Sequence, residues 1–347
     1  MPLFESDIRT RPFDKRPFAR AGGGAQINQK PNILRRIIRA ASLRANRIVN
    51  NLAFRNYSTA RLYCHARLRL APARKPILVY TMGKVGSTAV AESIESASAD
   101  YTIYHLHWLV PEKLRLDEEQ FKSAVWKYRG TALERRLRPQ YIWQGQYLSN
   151  RVRQLQPSGS KWKVITLIRD PVARNVSSLF QNMGLVGIDY RSQIRSGREE
   201  DLVADLAELF RKHYVDGQRA VLVDSDPLTW FDEELKTVFN IDVFQSDFPI
   251  RQGFDIYDAA VAEVLLIRLE DLDACVATAF ERFLGLEATG LQRHNVAADK
   301  DYASLYRRFL DMFVMPDAYL DRMYNSKVSR HFYTEEELAR FRARWRR

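Results

Sequence analysis

Residues 77–88 read Ile77-Leu78-Val79-Tyr80-Thr81-Met82-Gly83-Lys84-Val85-Gly86-Ser87-Thr88, and this stretch decides the fold. Its first five residues form a short apolar run, typical of a strand buried in a parallel sheet. A turn with two glycines follows, and the sequence from Thr88 to Ala97 suits a helix. This order directs main-chain N–H groups and the positive end of the helix at an anion. We therefore predict a phosphate-binding turn here; the alternative is an ordinary strand-to-helix turn with a surface lysine.

Strand-like and helix-like segments alternate along the rest of the chain. The strand-like runs are Tyr101–Trp108, Val164–Ile168 and Val264–Ile267, and the helix-like segments are Pro171–Asn182 and Leu272–Leu284. Alternation of this kind predicts an α/β fold, with a P-loop-type central parallel sheet flanked by helices. From Tyr302 onward the sequence is mainly helical, and Thr334 with Glu337 predicts a capping box at the start of the last helix.

The positive charge of the chain is concentrated before the first strand. The 347 residues carry a formal net charge of +12, yet residues 1–76 hold 17 Lys and Arg against 3 Asp and Glu. The remainder is therefore close to neutral. We predict a basic, partly flexible arm over residues 1–74, with an amphipathic helix at Ile33–Leu52, and an α/β domain over residues 75–347. Such an arm suits nucleic acid, an anionic membrane surface or a polyanionic acceptor, or it is simply a solvated extension.

Three features indicate a cytoplasmic protein. No apolar run approaches the ~20 residues of a membrane-spanning helix, and residues 1–20 contain no apolar leader segment. The two cysteines, Cys64 and Cys275, suggest no disulfide framework. A basic amphipathic helix in the arm would place the protein at the inner face of the membrane.

A second turn with phosphate-binding character follows Val164–Ile168. Asp170 is a good N-cap and Pro171 a good first helical residue, so Arg169 should stand at the end of the strand, beside the start of the helix. Ser177 lies three residues after Arg174, so the two share a helix face. A guanidinium and a hydroxyl at a strand end suit a phosphate group. A capped helix with surface arginines is the alternative.

Together the two turns resemble the nucleotide site of the PAPS-dependent sulfotransferases, where PAPS is 3′-phosphoadenosine 5′-phosphosulfate. Lys84-Val85-Gly86-Ser87-Thr88 is similar to the family's 5′-phosphosulfate loop, Lys-x-Gly-[Ser/Thr]-Thr, and departs from the Walker A order. Arg169 with Ser177 is similar to its 3′-phosphate motif. The resemblance implies sulfuryl transfer from PAPS to a hydroxyl, adenosine 3′,5′-bisphosphate (PAP) as product, and no metal. The donor-binding residues that it implies are Gly83, Lys84, Val85, Gly86, Ser87, Thr88, Arg169 and Ser177.

A second resemblance covers roughly Lys75 to Trp345. Trp230–Glu234, Leu266–Leu272 and Tyr324–Tyr333 resemble a bacterial family that is named for capsular polysaccharide synthesis and regarded as sulfotransferase-like. The resemblance implies a sulfotransferase-like domain at residues 75–347 and favours a glycan as the hydroxyl acceptor.

Tyr104-His105-Leu106-His107-Trp108 supplies the candidates for the catalytic base. Strand alternation puts His105 and His107 on one face, and a histidine with a pKa near ~6.5 suits general-base catalysis. A His-x-His segment also resembles the base region of some glycan 2-O-sulfotransferases, where the second histidine dominates. We therefore favour His107 as base, assisted by His105, with Lys84 neutralising the leaving oxygen. The alternative for either histidine is a structural role as a hydrogen-bonded residue of the core.

Other roles and other functions stay open from the sequence. Asp232 and Glu233 are the reserve bases, since several sulfotransferase branches use a carboxylate. No Cys or His spacing suggests a metal site. A P-loop kinase or other NTPase is the enzymatic alternative, with Val221–Asp224 imitating its aspartate strand. The second alternative is a non-enzymatic protein that binds polyanions through the arm. The arm lacks the aromatic motif that specific recognition of nucleic acid would need.

Overall fold

A computed structural model describes residues 55–70, 74–128, 140–154, 160–183, 188, 190–218, 225–286 and 302–346, with some residues between 41 and 52. The chain divides into two compact units, Met1–Asn46 and Arg47–Arg347. The predicted linker at residues 21–29, the segment Val221–Asp224 and residues 33–40 of the predicted arm helix lie outside the described residues. Those described between 41 and 52 are helical, as predicted. The domain boundary at residues 74 and 75 stays a prediction.

The centre of the second unit is a five-stranded sheet. Its strands are β1 (Lys75–Tyr80), β2 (Tyr101–Leu106), β3 (Trp162–Ile168), β4 (Phe254–Asp258) and β5 (Ala262–Arg268). They lie in the order β2-β1-β3-β5-β4, and every neighbouring pair is parallel except β4 with β5. The predicted mainly parallel α/β sheet is thus confirmed. Strand β4 was missed because its short alternation of acidic and apolar residues is typical of an exposed edge rather than a buried parallel strand.

Helices surround the sheet and make up most of the C-terminal part, as predicted. In the described ranges the longer ones are α1 (Tyr57–Leu70), α2 (Ser87–Ala97), α3 (Pro111–Tyr128), α4 (Gln140–Arg153), α5 (Pro171–Asn182), α6 (Tyr190–Arg195), α7 (Glu199–Phe210), α8 (Phe231–Lys236, a π-type segment), α9 (Leu272–Leu284), α10 (Ala303–Met312), α11 (Asp317–Tyr324), α12 (Lys327–Phe332) and α13 (Glu335–Trp345), and short helical segments span Arg211–Val215, Thr237–Phe239 and Leu269–Asp271.

The strand order reverses between β1 and β3, and we call the region at the carboxyl ends of these two strands the crevice. Strand β1 has β2 on one side and β3 on the other. Because the chain leaves β1 toward β2 and later returns to β3 on its other side, the loops after β1 and β3 diverge. In open parallel sheets a crevice of this kind at the carboxyl ends of the strands is the usual place for a ligand. Both predicted phosphate-binding turns lie there.

Apolar burial explains why β1 lies inside the sheet, between two other strands. Ile77, Leu78, Val79 and Tyr80 are fully buried, and β3 and β5 have similar patterns. A strand that is apolar on both faces is stable only where helices cover both sides of the sheet. Helix α9 is one such cover. Its last residue, Leu284, accepts a hydrogen bond through its main-chain carbonyl from the Tyr101 hydroxyl at the start of β2 (3.1 Å).

A buried carboxylate connects α8 to the carboxyl ends of β1 and β2. Glu234 is fully buried and accepts hydrogen bonds from the Tyr80 hydroxyl and from the main-chain N–H groups of Leu109 (2.9 Å) and Val110 (3.1 Å). Desolvation raises the pKa of Glu234 above its usual value. Three donors on one buried acceptor group fix the loop after β2 relative to β1.

The C-terminal helices are held by a second buried charge. Arg268, at the end of β5, is 1% exposed, donates to the main-chain carbonyl of Phe332 (3.0 Å) and forms an ion pair with Glu337. Glu337 also completes the predicted capping box with Thr334, which is confirmed. One carboxylate therefore both caps α13 and anchors it to the sheet.

Candidate functional site

The first turn has the backbone of a ligand loop. Lys84 has a φ of +72° and Gly86 a φ of +83°. The left-handed region disfavours residues with a side chain, so Lys84 is strained there, as residues at ligand clamps often are. A Cβ on Gly86 would lie 2.6 Å from Cδ1 of Leu269, so both the conformation and the space at this position require glycine.

The turn leaves a set of main-chain donors unpaired. Across the parts of the chain that the structure describes, nothing accepts a hydrogen bond from the N–H groups of Gly83, Val85, Gly86, Ser87 or Thr88. Helix α2 also lacks a side-chain cap at Gly86. N–H groups at the start of a helix need an acceptor, and an anion is the acceptor that the helix dipole favours.

The second turn is capped as predicted. Asp170 is buried and its Oδ1 accepts hydrogen bonds from the N–H groups of Val172 (2.9 Å) and Ala173 (3.3 Å), with Pro171 as the first residue of α5. The hydroxyl of Tyr324 donates to the same oxygen (3.1 Å). Desolvation raises the pKa of Asp170. Its carboxylate is thus turned into the protein rather than toward the crevice.

Two arginines join the two turns. Arg169 Nη1 donates to the main-chain oxygen of Lys84 (3.1 Å), and Arg174 Nε donates to the main-chain oxygen of Gly83 (2.9 Å). Arg174 is fully buried, whereas Arg169 is half-buried. The cations therefore hold the first turn by its carbonyl groups and bring positive charge beside it.

One face of α5 lines the first turn. Arg174 contacts Gly83, and Gln181 Oε1 accepts a hydrogen bond from Lys84 Nζ (2.5 Å). Residues 174, 177 and 181 share one helix face by their spacing. Ser177 therefore shares the face of α5 that borders the first turn, and its role with Arg169 in a phosphate site stays a prediction. The sequence did not identify Gln181, although the same spacing extends to it.

His105 and His107 lie side by side, next to the first turn. Their ring centroids are 5.2 Å apart, although β2 already ends at Leu106. Ser87 Oγ lies 2.8 Å from His105 Nε2, and His107 Nδ1 lies 2.8 Å from the main-chain oxygen of Thr81. Both histidines are therefore connected to the turn that follows β1.

Their environments give the two histidines different chemistry. Desolvation, with His107 as a second cause, lowers the pKa of His105 to about 3, so His105 is neutral near pH 7. His107 faces a carbonyl oxygen, which only accepts, so its Nδ1 carries the proton and Nε2 is its basic nitrogen. The indole N–H of Trp230 donates to the main-chain oxygen of His107 (3.3 Å) and fixes its backbone.

The reserve carboxylates lie in surface ion pairs. Asp232 pairs with Lys327 (2.8 Å) and Glu233 with Lys113 (2.8 Å), and neither pair involves the two turns. The structure therefore does not bring Asp232 or Glu233 together with Lys84 through these contacts. Their buried neighbour Glu234, which the sequence did not single out, has the structural role described above.

Replacing His105 with glutamine should flatten the acid dependence of stability. In the unfolded chain this histidine has a pKa near ~6.5, whereas in the folded protein its pKa is about 3. The stabilisation that neutral His105 contributes is therefore fully present above pH ~6.5 and is lost progressively as the pH decreases. From pH 7 to pH 5 the wild type should lose about 2 kcal/mol more unfolding free energy than His105→Gln, measured by urea denaturation. Equal losses in the two proteins would show that His105 is protonated normally.

Comparison with known proteins agrees with part of the sequence prediction. Residues 207–334, just over a third of the chain, match the model of a family described as "Putative capsular polysaccharide synthesis protein". The stretches at residues 230–234, 266–272 and 324–333 lie inside this match, whereas both turns and both histidines lie outside it. No curated protein and no solved structure matches the chain. The chain is thus similar to that family over α8, β4, β5 and the helices up to α12.

Proposed function

We propose that this chain is a sulfotransferase that uses PAPS as donor and sulfates a hydroxyl group of a glycan. The observation that carries the proposal is the contact between the two turns through Arg169 and Arg174. Two anion-binding elements at one crevice suit a ligand with phosphate groups at both ends, and the resemblance to the sulfotransferase motifs specifies which ligand. The match to a capsular polysaccharide synthesis family supports a glycan acceptor.

The residues at the crevice fit such a donor. The unpaired N–H groups of residues 83 and 85–88 suit the 5′-phosphate, which accepts hydrogen bonds through several oxygens. Arg169 and Ser177 suit the 3′-phosphate. The nearby carboxylates of Asp170 and Glu270 are bonded to main-chain N–H groups of the second turn, so they support that turn instead of competing for its ligand.

The proposed chemistry is a single in-line displacement. When bound, PAPS supplies a sulfuryl group on an activated oxygen, so that a sulfur–oxygen bond to the acceptor forms while the one to the phosphate breaks. His107 Nε2 takes the proton of the acceptor hydroxyl. As the imidazolium forms, its Nδ1–H remains bonded to the Thr81 oxygen, which stabilises the positive charge. The Lys84 ammonium moves from Gln181 to stabilise the charge on the leaving oxygen.

His105 supports this scheme by remaining neutral. A charged neighbour 5.2 Å away would oppose protonation of His107. Because burial keeps His105 neutral, His107 is the member of the pair that can take the proton. Its contact with Ser87 orients the hydroxyl at the start of α2.

PAP should bind more tightly than ADP by roughly tenfold to a hundredfold, since one extra charge-assisted contact contributes about 1.5–3 kcal/mol. Isothermal titration calorimetry of the full chain measures both affinities. Arg169→Ala should bring the two affinities close together by weakening PAP more than ADP, because it removes the 3′-phosphate contact as well as the bond to the Lys84 oxygen. Asp232→Ala, a change in a surface ion pair, serves as the control. Equal affinities of the wild type for PAP and ADP would contradict the proposal.

His107→Ala should retain the affinity for PAP and lower turnover by ~10²-fold or more, because the acceptor proton loses its base. The measurement is transfer of radiolabelled sulfate from PAPS to a panel of glycan acceptors. His213→Ala, the same change at a partly exposed histidine just after α7, is the matched control and should keep wild-type turnover. Near-normal turnover of His107→Ala would move the base to another residue.

A further inference from the structure

Helix α1 and the helical residues before it carry a row of exposed apolar side chains. Among the described residues, eight large hydrophobic side chains are exposed, and five of them lie here. They are Ile48 (58% exposed), Leu52 (36%), Leu62 (72%), Tyr63 (44%) and Leu70 (82%). We call these five residues the apolar stripe. Exposed apolar groups that cluster on one element mark a surface that binds something.

Helix geometry aligns side chains of the stripe within each of two helical segments. The spacing of four residues keeps Ile48 and Leu52 on one side of the segment before α1, and the spacing of eight residues keeps Leu62 and Leu70 on one side of α1. Asn56 lies between the two helical segments: its N–H donates to Leu52 O (2.6 Å), and its side-chain Oδ1 caps α1 by accepting a hydrogen bond from Thr59 N–H (3.1 Å).

The opposite side of the helix is already occupied. Val49 and Ala60 are buried in one cluster with Trp143 of α4. The Tyr57 ring lies 5.2 Å from the Trp143 ring, and His65 Nε2 lies 3.2 Å from the main-chain oxygen of Trp143. Helix α1 is therefore attached to the body by one face, and the stripe is a second apolar face with no role in that attachment.

The charge around the stripe is positive only. No Asp or Glu occurs between Lys15 and Ala91. The arginines that are exposed among the described residues of this helical region include Arg47, Arg55 and Arg69. Arg61 pairs with Glu118 of α3 (3.8 Å) and so belongs to the attached side. A row of leucines bordered by arginines is the composition of helices that lie in the interface of an anionic bilayer.

We propose that the apolar stripe docks this protein onto the surface of an anionic lipid bilayer. The leucines would enter the headgroup region while the arginines attract the negative lipids. Among the described residues no helix is long and apolar enough to cross a bilayer. A second copy of the chain fits poorly, because its arginines would face those of the first. A soluble polyanion would use the arginines and leave the leucines in water.

Vesicle co-sedimentation of the full chain tests the proposal. The wild type should bind vesicles with about 30% phosphatidylglycerol and bind pure phosphatidylcholine at least about tenfold more weakly. Leu62→Ser with Leu70→Ser should weaken binding to the anionic vesicles by about tenfold or more. The control is Met312→Ser with Val314→Ser, at residues of similar exposure (56% and 53%) elsewhere on the surface, and it should bind like the wild type.

Several outcomes would overturn the proposal. Failure of the wild type to bind anionic vesicles would show that something else covers the stripe. Equal losses in the stripe and control variants would indicate unspecific adhesion. Binding to dextran sulfate that equals vesicle binding and survives the leucine changes would identify a polyanion site instead. Dimerisation without vesicles that the leucine changes abolish, measured by light scattering, would identify a second copy as the occupant. The circular-dichroism spectrum and the melting temperature, which should not change in either variant, verify folding and keep this test separate from the proposed activity.

Discussion

Two hydrogen bonds between arginines and main-chain carbonyls define the geometry on which the rest of the candidate site depends. Arg174 and Arg169 bind the oxygens of Gly83 and Lys84, two consecutive residues of the first turn. With these oxygens occupied, the turn adopts left-handed conformations at Lys84 and Gly86 and keeps its N–H groups unpaired. An anion is the acceptor that such a group of donors favours. Because Arg169 begins the second turn and Arg174 lies in α5, the helix that follows it, the first turn is held by the second turn and its helix.

A buried polar network extends this constraint to the C-terminal helices. The N–H of Asp170 donates to Glu270 Oε1 (2.8 Å), and Tyr333 donates its hydroxyl to the other oxygen of Glu270 (3.0 Å). Arg268 lies over the Tyr333 ring (4.8 Å) and pairs with Glu337. Desolvation raises the pKa of both Asp170 and Glu270, as expected for carboxylates in the interior. Most of this network falls within residues 207–334. The part of the chain that matches the capsular polysaccharide synthesis family therefore holds the second turn in place, through the hydrogen bond from Asp170 N–H to Glu270.

The local features of the fold were predictable, and the contacts over long sequence distances were not. Helices α5 and α9 have their predicted limits, and Asp170 caps α5, because apolar runs, prolines and capping residues act within a few positions of themselves. The hydrogen bond between Tyr80 and Glu234 and the low pKa of His105 depend on segments that meet only after folding. Gln181 was missed for the same reason. Its place on the helix face of Arg174 followed from the spacing, but its contact with Lys84 did not.

A crystal structure with PAP bound tests the central claim most directly. One PAP molecule should span the crevice, with its 5′-phosphate on the N–H groups of residues 83 and 85–88 and its 3′-phosphate within hydrogen-bonding distance of Arg169 and Ser177. The carbonyls of Gly83 and Lys84 should keep their arginine partners. Electron density for PAP at any other surface, or a bound nucleotide that contacts one turn and leaves the other empty, would contradict the account.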